Sequence, residues 1–210
     1  MDLKAEKIIL ASVSPRRKHI LKNLGIPFYT VSPSFEEIFP KGTAARNAAE
    51  YFAVQKALSS ARFLAQKKGA CARYPDARLI AAADTLIVFK NNVYGKPKNK
   101  EEARAFLRSF SGKTHKVYSG IAVYNRETQT TISRTCISRV RFAKLCETEI
   151  DRYLNLNEWQ DAAGAYKIQG FAGTFIEHMD GSYSSIMGLP IFEFYEILKE
   201  HNYRFGINMP

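Results

Sequence analysis

The first stretch able to do chemistry is Ser12-Val13-Ser14-Pro15-Arg16-Arg17. A short apolar run, Ile8 to Ala11, ends in hydroxyl residues. A proline and two arginines follow, and then an apolar spacing that suits a helix. Ser14 suits an N-cap, Pro15 the first helical position and Gly25 a stop. The pattern predicts a strand, a tight loop and a helix. Free backbone N–H groups, the positive helix end and two guanidinium groups then meet in one place, which suits a phosphate. An ordinary strand–helix junction with solvated arginines carries the same residues, so both readings stand at this point.

The second candidate is Asp84, set in Arg78-Leu79-Ile80-Ala81-Ala82-Ala83-Asp84-Thr85-Leu86-Ile87-Val88-Phe89. A carboxylate inside an apolar strand is costly to bury unless it is paired or holds a metal. Asp84 therefore reads as a general base or a metal ligand, with a structural turn aspartate as the alternative. Glu36-Glu37 is a carboxylate pair at a loop. It could hold a divalent cation, but solvated acids are the commoner case. Gly95-Lys96-Pro97 carries a lysine through a tight segment. Gln169, in a glycine-punctuated run, offers the amide donor and acceptor that base recognition requires. His115 stands alone in a predicted strand, where a structural hydrogen bond is the commoner role.

These residues need elements to position them. Ile26–Ser32 reads as a strand, and Thr43 to Ala65 as a long helix with a core stripe of Tyr51, Val54, Leu58, Ala61 and Ala65. On that phase Lys56 lies off the stripe, as a solvated lysine or a phosphate ligand. Lys67–Pro75 reads as a loop. Asn91-Asn92 predicts a hairpin turn before Val93-Tyr94. Asn99-Lys100-Glu101-Glu102 resembles a capping box for a helix burying Ala103, Phe106, Leu107 and Phe110. Lys113–Val123 and Thr130–Phe142 read as strands, the second with its arginines toward solvent. A helix from Glu147 buries Ile150, Tyr153 and Leu154. A strand begins at Phe175-Ile176, Asp180–Ser185 reads as a turn, and a last helix buries Ile191, Phe194, Tyr195 and Leu198. Helices alternate with strands early and hairpins follow, so the fold class is α/β with a mixed sheet.

Composition narrows the class. A chain of 210 residues with 46% hydrophobic content supports a real core and argues against disorder. No apolar run reaches the length of a membrane span, and the charged start lacks a signal h-region, so a cytoplasmic protein is expected. Cys71, Cys136 and Cys146 have no paired metal spacing and read as reduced thiols. The net charge of +11 favours polyanionic partners. The basic clusters are not interleaved with aromatics as in an RNA-binding sheet, so no stable nucleic-acid complex is expected.

Taken together, these blocks resemble one family. Leu10-Ala11-Ser12-x-Ser14-Pro15-Arg16-Arg17-x-x-x-Leu21 resembles the opening motif of the Maf family of nucleoside triphosphate pyrophosphatases. Ala83-Asp84-Thr85, Gly95-Lys96-Pro97, Ser111-Gly112-x-x-His115-x-Val117, Gly164-Ala165-Tyr166-x-Ile168-Gln169-Gly170 and Gly181-Ser182-Tyr183…Gly188-Leu189-Pro190 are similar to its later blocks, in order. The resemblance implies a single domain over residues 1–210, with a strongly twisted mixed sheet, flanking helices and two lobes around a cleft, often as a homodimer. It implies hydrolysis of a nucleoside triphosphate to the monophosphate and pyrophosphate with Mg²⁺ or Mn²⁺. Asp84 is then the proton acceptor, and Glu37 joins it at the metal. Arg16, Thr85 and Gln169 match positions tied to substrate choice; Ser12, Arg17, Lys56 and Lys96 match phosphate contacts. Thr85 and Gln169 resemble the branch acting on dTTP and UTP. A member with another base preference, such as 7-methyl-GTP, or a non-catalytic regulator of division that binds nucleic acid, is the alternative. Two residues depart from the family block: Ala162 stands where a lysine is usual, and Lys167 where a glycine is.

Overall fold

The computed structural model describes residues 5–35, 45–66 and 73–206, without the side chains of residues 45 and 46. Glu36-Glu37, the expected helix start at Thr43, Cys71 and most of the predicted loop after Lys67 lie outside the described residues. The strands are β1 (Ile8–Ala11), β2 (Phe28–Val31), β3 (Leu79–Phe89), β4 (Asn92–Tyr94), β5 (Thr114–Asn125), β6 (Thr131–Phe142) and β7 (Ile176–Asp180). The helices are α1 (Pro15–Asn23), α2 (Ala45–Gln66), α3 (Lys100–Phe110), α4 (Glu147–Asn155), α5 (Tyr183–Met187) and α6 (Ile191–Glu200).

The strands form one seven-stranded sheet in the order β2-β1-β3-β5-β6-β7, with β4 paired to β3. β1 lies parallel to both β2 and β3, while β4 on β3 and β7 on β6 are antiparallel, so the expected mixed α/β sheet is present. The chain groups into two compact units. The first holds Met1–Asp84, Gly120–Thr135 and Gly188–Pro210; the second holds Thr85–Ser119 and Cys136–Met187.

The core of the first unit is built from small residues. Ile9, Ala11, Ile80, Ala82 and Ala122 from the strands meet Ala53, Ala57 and Leu64 of α2. The buried face of α2 is Ala48, Ala49, Phe52, Ala53, Lys56, Ala57, Ser60 and Leu64. The stripe read from Tyr51, Val54 and Leu58 is therefore misphased, and Tyr51 is exposed. Alanines win the inner face because they let the helix backbone approach the sheet closely. At Gly120 of β5 an added Cβ would lie 2.2 Å from the Ala49 carbonyl oxygen. Glu50 holds that approach by accepting hydrogen bonds from Ser133 Oγ at 2.6 Å and Thr135 Oγ1 at 2.8 Å on β6.

The second unit buries aromatic residues instead. Phe110, Phe142, Tyr153, Tyr166 and Phe175 pack with Leu107, Val117 and Ile150. The imidazole of His115 stacks on Phe110 with ring centroids 4.4 Å apart, and Nε2 lies 2.8 Å from the Tyr166 hydroxyl. His115 is thus the hydrogen-bonded core residue expected from its isolation. Gly164 has a left-handed backbone, and a Cβ there would meet Ile87 Cδ1 at 2.6 Å.

The elements agree with the local sequence signals to within a residue or two, with four differences. The hairpin turn falls on Lys90-Asn91, both at positive φ, one residue before the predicted pair. Asn99 caps α3 by accepting from Glu102 N–H at 2.8 Å, but Glu102 Oε2 accepts from Lys98 N–H at 2.6 Å rather than closing the box on Asn99. Ser14 precedes α1 without a side-chain cap. Residues 183–187 form a short helix, not a turn, because the Ser182 carbonyl accepts from Ile186 N–H and Ser182 Oγ from Ser185 N–H. The arginines of β6 face outward, and Arg139 and Arg141 pair with Asp180 at 2.8 Å and Glu177 at 2.7 Å.

Two outcomes are expected. Gly120→Ala forces α2 off the sheet and costs at least the roughly 1–3 kcal/mol of an overpacked core, read as a lower urea midpoint. A midpoint equal to that of the unaltered chain would mean that the α2 contact yields. Burial pushes the His115 imidazole from 6.5 down to about 3. A depressed folded pKa stabilises fully above the unfolded value and loses that contribution as pH falls toward the folded one. The cost should be about 2 kcal/mol on going from pH 7 to pH 5. The pH dependence of the midpoint over that interval should shrink in His115→Gln; an equal slope in both proteins would free His115 of the effect.

Candidate active site

The loop after β1 is organised by Ser12 rather than by Ser14. Ser12 is buried, and its Oγ accepts from Ser14 N–H at 3.2 Å and from Arg17 NH1 at 3.2 Å. With both acceptor directions engaged, what Ser12 offers a ligand is its O–H. Arg17 Nε donates to the Gly188 carbonyl at 2.8 Å, which ties α1 to the segment leading into α6. Two donors of Arg17 thus hold the loop. The first turn of α1 carries no acid. Two cations at a positive helix end oppose the macrodipole, an arrangement that an anion relieves.

Lys56 and Asp84 are the other candidates in the first unit. Both are buried, and Lys56 Nζ lies 2.5 Å from Asp84 Oδ1. Lys56 sits on the inner stripe of α2, where buried Phe52 and Ser60 lie one turn either way. The expectation of a solvated lysine is corrected here: the side chain is committed to the carboxylate. A buried ion pair is weak evidence for stability, because an apolar pair of similar volume often does as well. Its presence in an alanine-lined layer points to chemistry.

Side chains alternate along a strand, so Asp84 and Thr85 leave opposite faces of β3. The Asp84 face continues from Ile80 and Ala82, which pack with α2; the Thr85 face continues to Ile87, in the aromatic core. β1 pairs with β3 at Ile80 and Ala81, and β4 pairs with it at Ile87, Val88 and Phe89. Asp84 and Thr85 fall on the stretch that neither strand covers. Thr85 Oγ1 lies 3.1 Å from Ser119 Oγ, and Ser119 Oγ donates to the Ser185 carbonyl at 2.6 Å. Sequence reading missed Ser119 and Ser185. Only the serine-rich Ser182–Ser185 block hinted at them.

Lys96 and Gln169 belong to the second unit. Lys96 is exposed and pairs loosely with Asp161 at 3.6 Å. Gln169 is exposed, on the turn between Ile168 and Gly170. Ala162 is buried and Lys167 half-buried, so neither departure places a charge in the core. Among the described residues no group of three His, Cys, Asp or Glu side chains is placed to hold a metal, and Glu37 lies outside them. A divalent cation such as Mg²⁺ often takes one or two carboxylates together with substrate phosphates and water. A single carboxylate at Asp84, in the same unit as the basic start of α1, fits that donor set.

A cavity of about 1060 Å³ on the first unit is lined by Arg62, Tyr74, Asp76, Arg78, Tyr124 and Arg126, among others. It opens at the start of β3, and Asp84 lies six residues along the strand from Arg78, about 20 Å at the rise of a strand. Two of its arginines are committed. Arg78 pairs with Glu6 at 2.7 Å, and Arg126 donates to the Ala77 carbonyl at 2.8 Å. This cavity is separate from the catalytic candidates.

The match to the Maf-like protein family model runs over residues 7–201. The chain belongs to the Maf family. Among curated Maf relatives, a dTTP/UTP pyrophosphatase of Treponema denticola is 42% identical over 208 residues, covering 95% of this chain and 98% of that one. A dTTP/UTP pyrophosphatase of Bacillus cereus strain Q1 is 38% identical, covering 93% and 96%. One of Alkaliphilus metalliredigens is 38% identical, covering 97% and 99%.

The Lys56–Asp84 pair yields a test of its own. Lys56→Met removes the ammonium from a buried carboxylate and should cost about 3–5 kcal/mol. The double variant Lys56→Met/Asp84→Leu should lose far less than the two single losses added, measured as urea midpoints in a double-mutant cycle. Strict additivity would show that the two side chains do not interact.

Proposed function

We propose that the protein hydrolyses dTTP and UTP to the monophosphate and pyrophosphate. The observation that carries the reading is Asp84: a buried carboxylate, held by a buried lysine, in the same unit as a basic helix start. The full-length relatives named as dTTP/UTP pyrophosphatases supply the substrate class.

Cleavage between the α and β phosphates needs a positioned water, a base and neutralisation of the triphosphate charge. Arg16 and the N–H groups at the start of α1 bind phosphate oxygens, and Ser12 donates its hydroxyl to them. Arg17 fixes that loop through Gly188. Asp84 accepts the proton of the attacking water. Lys56 keeps the carboxylate in place and supplies positive charge beside it. Asp84 and Glu37 would hold a Mg²⁺ or Mn²⁺ ion. When bound, such an ion polarises the phosphoryl oxygens. Lys96 adds a point charge for the phosphates. Gln169 reads the pyrimidine edge by paired hydrogen bonds, and Thr85 completes that recognition. Polar groups covered by the bound base and left unpaired when it is the wrong one give the discrimination.

Asp84→Asn should release pyrophosphate from dTTP about 10²–10⁴-fold more slowly, with circular dichroism confirming a folded chain. Near-full turnover by that variant would remove Asp84 from the proton transfer. Gln169→Glu should reorder kcat/KM among dTTP, UTP and 7-methyl-GTP; an unchanged order would end its role as reader.

A further inference from the structure

We infer that Ser119 is a positioning residue that makes Thr85 a hydrogen-bond acceptor only, so that Thr85 selects the ring N3–H of uracil and thymine against cytosine. This rests on the pyrimidine triphosphate reading and adds to it the direction of one hydrogen bond.

The argument is a count of protons. A hydroxyl has one hydrogen to donate and two lone pairs to accept with. Ser119 Oγ lies 2.6 Å from the backbone carbonyl of Ser185, which can only accept. The single hydrogen of Ser119 is therefore spent there. Ser119 is fully buried, so water offers it no alternative. In the 3.1 Å contact between Thr85 Oγ1 and Ser119 Oγ, the hydrogen must then be that of Thr85. Its donor engaged, Thr85 presents only lone pairs to anything placed against it. Thr85 is half-buried, so part of the residue faces out.

The Ser185 carbonyl that anchors this chain is itself held. Ser185 Oγ lies 2.8 Å from Ser138 Oγ and 3.0 Å from the Ser182 carbonyl, and Ser138 Oγ accepts from Ser182 N–H at 3.0 Å. Ser119, Ser138, Ser182 and Ser185 all belong to the second unit, with Thr85. The contact from Ser185 Oγ to the Ser182 carbonyl does not involve Ser138, so Ser185 keeps an anchor when the Ser138 hydroxyl is removed.

Uracil and thymine carry one donor on their pairing edge, N3–H, flanked by two carbonyl oxygens. Cytosine has a lone pair at N3. Against an acceptor-only Thr85, the first pair makes a hydrogen bond and the second sets lone pair against lone pair. An unpaired polar contact of that kind is worth roughly 10–100-fold in discrimination. Removing the Ser119 hydroxyl frees Thr85 to turn its hydrogen toward cytosine N3.

The test measures pyrophosphate release from UTP and CTP by the full-length chain with Mg²⁺, and compares kcat/KM ratios. The unaltered protein should favour UTP. Ser119→Ala should lower the UTP:CTP ratio roughly tenfold or more, chiefly by raising CTP turnover, while Ser138→Ala, which disturbs the same serine cluster without touching Thr85, should leave the ratio in place. Thr85→Ser should keep the preference, and Thr85→Val should lose it by lowering UTP turnover. These two serve as the independent arm if Ser119→Ala proves unstable in urea. An unchanged ratio in Ser119→Ala, or an equal fall in Ser138→Ala, overturns the inference while leaving the pyrophosphatase reading intact. An unaltered chain that releases pyrophosphate from neither UTP nor dTTP overturns that reading and this inference with it.

Discussion

The ion pair between Lys56 and Asp84 sets the terms for the rest of the first unit. A lysine ammonium reaches an aspartate on the sheet only if helix and sheet run close together. The inner face of α2 meets that demand with Ala48, Ala49, Ala53 and Ala57, and β5 answers with Gly120. Glu50 then fixes the approach from its own carboxylate to two hydroxyls on β6. Close packing, a glycine without alternative and an anchored helix turn are thus three conditions of one salt bridge. Desolvating two charges is expensive, and the pair offsets that cost only when its geometry is kept.

Hydroxyl groups share a different logic in the two units. Each is given a direction by groups that can act in only one way. Backbone N–H and guanidinium groups must donate, so the hydrogen of Ser12 is left to point away from them. A backbone carbonyl must accept, so the Ser119–Thr85 pair is polarised the other way. A hydroxyl oriented in this manner acts like a fixed dipole, and fixed dipoles need no reorganisation when a substrate arrives.

How far the sequence revealed this depended on how local each signal was. The start of α1, the acid inside β3, the amphipathic faces of α3 and α4 and the solvent-facing arginines of β6 were legible, because each is written within one turn or one strand. The α2 stripe was not. Weighing side chains by size favoured Tyr51 and Leu58, whereas the sheet selects small residues for contact, and the same error left Lys56 on the outside. Ser119 was invisible for another reason. Its meaning comes from Thr85, 34 residues earlier in the chain, and Ser185, 66 residues later, and no periodicity links them. Ser14 looked like the cap by position, yet the loop closes on Ser12, whose Oγ accepts from both Ser14 N–H and Arg17.

The acid-free first turn of α1 also bears on how this protein must be handled. Any tetrahedral oxyanion that settles on Arg16 and the helix N–H groups stabilises the folded chain in proportion to its occupancy, by the ordinary law of mass action. Phosphate and sulfate are such anions, and so is the pyrophosphate of the proposed reaction. Buffer composition therefore enters both sides of an experiment: the salt that makes the protein appear most robust is the one that competes with its substrate.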